Sequence, residues 1–116
     1  MTRQEQVRLA ALLAHQAMPK IIILAGDTNF YTSQGMAVPS VVGFIDVWKH
    51  LKPTEPGHTF GVTYSVKSSS RRINGIFQWP HPDVTPSSIE IFGGDGLGGS
   101  TKDFLSDHVG LTATFG

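Results

Sequence analysis

The stretch Ile21-Ile22-Ile23-Leu24-Ala25-Gly26-Asp27-Thr28-Asn29 changes character partway, from five apolar residues to a polar tetrapeptide. The apolar part is rich in β-branched side chains, too short for a globular helix, and bounded by Pro19 and Gly26, which predicts a strand over residues 21–25 buried on both faces. Its carboxyl end delivers Asp27 and Asn29 into a turn, a setting that Gly, Asp and Asn all favour. A second polar cluster, Ser106-Asp107-His108, stands directly before the alternating run Val109 to Phe115, which reads as another strand. Either cluster alone would read as a turn or a surface loop. Together they bring carboxylate, amide and imidazole groups to strand ends, where open α/β sheets hold their ligands. Metal-assisted phosphodiester cleavage needs an acceptor to orient or deprotonate water, donors for the transition state, and ligands for a cation. Asp27, Asn29, Asp107 and His108 supply those types, provided the fold brings both strand ends to one edge.

Upstream, Thr2-Arg3-Gln4-Glu5 has the spacing of a capping box, and Leu9, Leu12, Leu13 and Gln16 follow at helical intervals near Val7 until Pro19. This predicts a helix over about residues 3–17 with the leucines on its apolar face. Downstream, residues 30–39 read as a loop, and Val41, Phe44, Ile45, Trp48 and Leu51 predict a short helix over residues 40–50. After a linker at Pro53, Pro56 and Gly57, residues 59–66 alternate as a strand and residues 67–71 form a polar connection. Residues 72–78 read as a continuous strand, with Asn74-Gly75 as a hairpin turn the competing assignment. Residues 88–92 form a further strand. Gly93 to Gly99 holds five glycines in seven residues but lacks the following Lys and Ser/Thr of a P-loop, so it reads as a flexible connection.

With 116 residues the chain has room for one core. Nine basic and nine acidic side chains cancel, so attraction to phosphate must come from local placement. The absence of cysteine excludes disulfides and thiolate metal sites and favours hard cations, magnesium or, in its place, manganese. No apolar run has the length of a membrane-spanning helix, and the amino terminus lacks the apolar block of a signal peptide, which points to an intracellular protein, nuclear or cytoplasmic.

Six blocks in order carry a resemblance. These are Arg3 and Gln6 on the first helix, Gly26-Asp27-Thr28-Asn29 after a strand, and Ile45-Asp46-Val47-Trp48. Thr59-Phe60, Arg72-Ile73-Asn74 with Ile76-Phe77, and Ser106-Asp107-His108 with Gly110-Leu111 complete the set. The chain resembles the C-terminal half of the endonuclease/exonuclease/phosphatase superfamily. Within it, the Gly-Asp-Thr-Asn form and the Asp-Val-Trp helix look most like the members that hydrolyse the bond between a DNA 5′ phosphate and a tyrosine during DNA repair. The resemblance implies an α+β fold, half of a four-layer α/β/β/α sandwich, with a mostly antiparallel sheet and two helices. It also implies a metal-dependent nuclease-type hydrolase acting on nucleic acid or another phosphodiester. Residue by residue, it implies that Asp27 activates water, that Asn29 holds the water and a phosphate oxygen, that Asp107 holds magnesium, and that His108 donates to the phosphate. Phe60 matches a position bordering the substrate groove, whereas Trp48 reads as core.

Asn74 departs from the pattern, which places Asp there to support the final histidine; an amide contributes no charge. The family's metal-binding glutamate and a further asparagine belong to its first half, which the resemblance sets before residue 1. The isolated chain is therefore expected to be weakly active or inactive, and to associate with itself or with a complementary half-domain; the alternative is a non-catalytic binding or assembly module. His15, His50, His58 and His81 match no motif position. Arg71 and Arg72, beside Lys67, read as a solvated strand edge, with contact to backbone phosphates as the second reading.

Overall fold

The capping box forms as its spacing dictates. Thr2 Oγ1 accepts from the Glu5 amide at 3.1 Å, and Glu5 Oε2 accepts from the Thr2 amide at 2.6 Å. This starts helix α1 (Arg3–Gln16). The structure is a computed structural model and describes residues 1–29, 32–60, 71–93 and 108–116.

The buried face of α1 is not the leucine face. Val7 and Ala11 are buried, against Met36, Phe44 and Phe77, while Leu9, Leu12 and Leu13 are exposed. One turn apart, Val7 and Ala11 are slim enough to let the helix lie close to the sheet and its short helices, and that choice rotates the leucines to the far side.

Strand β1 (Ile23–Asp27) starts two residues later than expected and carries Gly26 and Asp27 within it. It pairs antiparallel with β3 (Asn74–Gln78), in a register running from Ile23 opposite Gln78 to Asp27 opposite Asn74. On the other side of β3 lies the two-residue β2 (Ile45–Asp46), giving the order β1-β3-β2. Residues 74–78 are thus a continuous strand, and Asn74-Gly75 makes no hairpin. Among the described residues β1 lies at the edge of its sheet, and its burial is one-sided, which corrects the expectation of burial on both faces: Ile22 and Leu24 pack towards α1, whereas Ile21, Ile23 and Ala25 are exposed.

The helix expected over residues 40–50 is divided. Helix α2 (Ser33–Met36) precedes it, helix α3 (Val38–Val42) takes its first residues, Gly43 ends α3 with φ of +131°, β2 follows, and helix α4 (Val47–Leu51) resumes. Asp46 caps α4 by accepting from the Lys49 amide at 3.3 Å. The Asp46 carboxylate also takes both ends of the Arg72 guanidinium, one contact being 2.6 Å, with both side chains buried. Arg72 is therefore neither a solvated edge residue nor placed to meet phosphate. Arg71 joins Phe60 through reciprocal backbone bonds. Of the strand expected over residues 59–66, Thr59 and Phe60 are described, and residues 61–70 lie outside the described residues. The same holds for residues 94–99 of the glycine-rich stretch.

Strands β4 (Pro86–Phe92) and β5 (Gly110–Phe115) form a second antiparallel sheet, with an irregularity between Pro86 and Ser88. Two cores result. Val7, Ala11, Met36, Phe44 and Phe77 fill the space between helices and the first sheet. Val47, Trp48 and Ile89 fill the space between the sheets, joined by Ile76 and Leu111. Successive residues of β3 serve opposite sides, Phe77 the first core and Ile76 the second, as a strand's alternation requires. The architecture is α+β, with antiparallel pairing between all the described strands, compatible with half of a layered sandwich. Trp48 is core, its indole donating to the Glu55 carbonyl at 2.8 Å. Among the described residues, no helix is long and apolar enough to cross a membrane.

Candidate active site

The β1–β3 register makes Asp27 and Asn74 direct cross-strand neighbours. Beyond Asp27 the chain turns sharply. Asp27 Oδ1 accepts from the Asn29 amide at 3.0 Å, and Asn29 takes the left-handed conformation, φ +53°, that asparagine tolerates better than most residues. Two anchors hold this turn. Both the amide and the hydroxyl of Thr28 donate to the Ile73 carbonyl, at 3.0 and 2.9 Å. The Arg3 guanidinium donates to the Asn29 carbonyl at 2.9 Å, tying the start of α1 to the loop.

His108 reaches the same edge from the second sheet. Phe60 bridges both Arg71 and His108, and the Val109 amide donates to the Thr59 carbonyl at 2.8 Å. There His108 Nδ1 lies 3.0 Å from Asn74 Oδ1, and Asn74 Nδ2 donates to the Val109 carbonyl at 3.2 Å. The other imidazole nitrogen, Nε2, points towards Asp27 and stands 4.0 Å from Oδ2. Carboxylate, amide and imidazole from β1, β3 and the lead-in to β5 thus share one strand edge, with His108 hung on Asn74 and aimed at Asp27. The Phe60 ring packs on the imidazole at 5.2 Å between centroids, tilted by 60°. A cleft of about 300 Å³ opens beside them, lined by Ala25, Gly26, Asp27, Asn74, Gly75, Ile76 and Leu111.

Both side chains remain reachable by solvent, His108 at 24% and Asp27 at 44% exposure. A water or phosphate oxygen in the gap could meet both groups at hydrogen-bonding distance. Asn29 is exposed at the same end of β1, whereas Asp107 lies outside the described residues. Among the described residues, no three metal-ligating side chains converge. Asp27 offers a hard oxygen donor that suits magnesium, but this donor set alone falls short of the six oxygen ligands that ion takes.

Three residues that position this site carried no assigned role in the sequence. Arg3 and Thr28 lie inside quoted motifs, but their anchoring contacts are to backbone carbonyls, which sequence spacing does not specify. Thr59, in the quoted Thr59-Phe60, likewise gives no local signal for its contacts across the fold.

No family model and no curated protein sequence matches the chain. Solved structures do. The zebrafish (D. rerio) TDP2 complexed with single-strand DNA product is 25% identical, with a TM-score of 0.65, over 99% of this chain and 51% of that one. A humanized D. rerio TDP2 carrying 14 mutations is 26% identical, with a TM-score of 0.64, over 100% of this chain and 51% of that one. The fold resembles that of TDP2, a tyrosyl-DNA phosphodiesterase, and the chain spans about half the length of these structures.

Proposed function

We propose that residues 1–116 are the C-terminal half of a metal-dependent phosphodiester hydrolase of the endonuclease/exonuclease/phosphatase type, acting on 5′-tyrosyl DNA. The observation that carries this reading is the aim of His108 Nε2 at Asp27 across the edge shared by β1 and β3. The likeness to a TDP2 that holds a single-strand DNA product supports a nucleic-acid substrate inside the cell, in nucleus or cytoplasm.

In this reading Asp27 accepts the proton of the attacking water, and Asn29 steadies that water and one phosphate oxygen. Protonated, His108 donates to a phosphate oxygen as charge builds there, held by the Asn74 amide where a carboxylate would hold it more strongly. The water oxygen bonds to phosphorus as the bond from phosphorus to the tyrosine oxygen breaks, leaving a DNA 5′ phosphate and a tyrosine phenolate that takes a proton from solvent. Phe60, packed on His108, fixes the imidazole plane and borders the substrate. Asp107 would help hold a magnesium ion, or manganese, together with donors from outside this chain, and that ion would screen the phosphate's charge.

The test is cleavage of a 5′-tyrosyl oligonucleotide with magnesium. The chain alone is expected to be weakly active or inactive, because members of a catalytic unit act together and their losses are large. Activity is expected when it is mixed with a polypeptide covering the half of zebrafish TDP2 that it does not match. Asp27→Asn and His108→Gln should each lower that activity roughly 10²- to 10⁴-fold. Cleavage by the mixture that ignores both substitutions would sink the assignment, and full activity of the chain alone would sink its incompleteness.

The exposed Leu9, Leu12, Leu13, Ile21 and Ile23 favour a second reading, an assembly module that uses the half-fold to bind a partner. A well-behaved monomer at all concentrations argues against it.

A further inference from the structure

Thr59 is fully buried and every backbone polar group it owns is engaged at this edge. Its amide donates to the Arg71 carbonyl at 3.0 Å, and its carbonyl accepts from Val109 at 2.8 Å. Its hydroxyl oxygen accepts two consecutive amides of the segment leading into β3, Ile73 at 3.2 Å and Asn74 at 3.0 Å. With the Asn74 side chain donating to the Val109 carbonyl, three residues close a ring: Asn74 to Thr59 Oγ1, Val109 to the Thr59 carbonyl, Asn74 Nδ2 to the Val109 carbonyl.

The ring decides a proton's place. A carbonyl only accepts, so the Asn74 side that faces Val109 must be its NH₂ and the side that faces His108 must be Oδ1. Oδ1 also only accepts, so His108 Nδ1 must carry hydrogen, and the nitrogen turned towards Asp27 is the one that can gain or lose a proton during reaction. We propose that Thr59 is a positioning residue: its buried hydroxyl seats Asn74 so that His108 holds its proton on Nδ1 and presents Nε2 to Asp27. The catalytic meaning of this arrangement rests on the phosphodiesterase reading, but the arrangement itself does not, and it is measured without turnover.

The experiment is long-range ¹H–¹⁵N correlation of the imidazoles in the full 116-residue chain, at a pH where imidazole is neutral, with His108 assigned by its loss in His108→Gln. Wild type is expected to show a protonated-nitrogen shift on Nδ1 and a bare-nitrogen shift on Nε2. Thr59→Ser, which keeps the oxygen, should retain this pattern. Thr59→Val, which keeps the shape and removes the acceptor, should lose it, as should Asn74→Ala. Thr59→Cys, whose sulfur accepts weakly, replaces the valine variant if that variant lacks a native amide spectrum. A wild-type His108 protonated on Nε2 would overturn the proposal. So would an unchanged His108 pattern in a folded Val or Cys variant. Failure of both variants to fold would assign the hydroxyl to stability alone and overturn the positional claim. Because no substrate is involved, any of these results leaves the phosphodiesterase reading to its own cleavage test.

Discussion

The Asp46 carboxylate works in two places at once. It caps α4 at the Lys49 amide and receives the Arg72 guanidinium in a fork, with both side chains nearly closed to water. Arg72 stands two residues before Asn74, so this pair also sets the strand that carries the site. A buried ion pair adds little or no net stability over a well-packed apolar replacement, yet removing one partner strands the other. Asp46→Ala is therefore expected to cost about 3–5 kcal/mol, measured by urea unfolding. Asp46→Leu combined with Arg72→Met should cost clearly less than Asp46→Ala alone; an equal or larger loss would show that the charges themselves are required. The meeting of Asp27 and His108 was legible at this scale, because polar side chains at two strand ends come together when the fold brings those ends to one edge. Arg72 was misread because a charged residue in an alternating strand normally faces water. Only the packing of α4 against β3 reveals a buried carboxylate waiting for it.

Helix α1 shows what periodicity can and cannot settle. Its start was readable from four residues, since a capping box is local chemistry, and Thr2→Ala should destabilise the helix start by about 1 kcal/mol. The backbone hydrogen bond from Thr2, then its side-chain bond, with Arg8 nearby, holds the Glu5 carboxyl below its ordinary value. A carboxyl whose folded value is depressed contributes stability above its unfolded value, and that contribution fades as pH falls through the folded one. Amides of the first turn should accordingly be less protected in acid than near neutrality, once exchange is corrected for its intrinsic pH dependence. Hydrogen exchange followed across the carboxylate range checks this, and Glu5→Gln should flatten the dependence; a flat wild-type profile would remove Glu5 from the cap. Which face of α1 turns inward was not local. Leu9, Leu12 and Leu13 form the more apolar stripe, but the first core seats the slimmer pair Val7 and Ala11 against Phe44 and Phe77. β1 repeats the lesson. Its apolar run suits a central strand, and only the register with β3 reveals that it lies at the sheet's edge. The break at Gly43 within an apparent helical pattern likewise depended on β2 finding β3.

At the scale of the whole molecule, those two misreadings have a common consequence. Leu12 and Leu13 on α1, Ile23 on β1 and Ile21 just before it expose between 41% and 56% of their surface. Single apolar side chains at a surface are ordinary, but Leu9, Leu12 and Leu13 share one helix face, and β1 adds a further apolar strip on an edge strand. The formal net charge of zero supplies no long-range repulsion to keep copies apart. The chain alone is therefore expected to associate, with a mass by light scattering that rises above 12.5 kDa as concentration increases. Leu12→Lys with Leu13→Glu should return it towards monomer while changing unfolding stability by only about 0.5 kcal/mol per substitution, because neither leucine is buried. A wild-type chain that stays monomeric throughout would refute this. The same measurement bears on the phosphodiesterase reading. If the exposed surfaces receive a complementary half-domain, adding the unmatched half of zebrafish TDP2 should dissolve the self-associated species into a one-to-one complex. The double substitution should then weaken that complex. Self-association that persists unchanged beside the added half would place the apolar surface away from the missing partner and favour the assembly module.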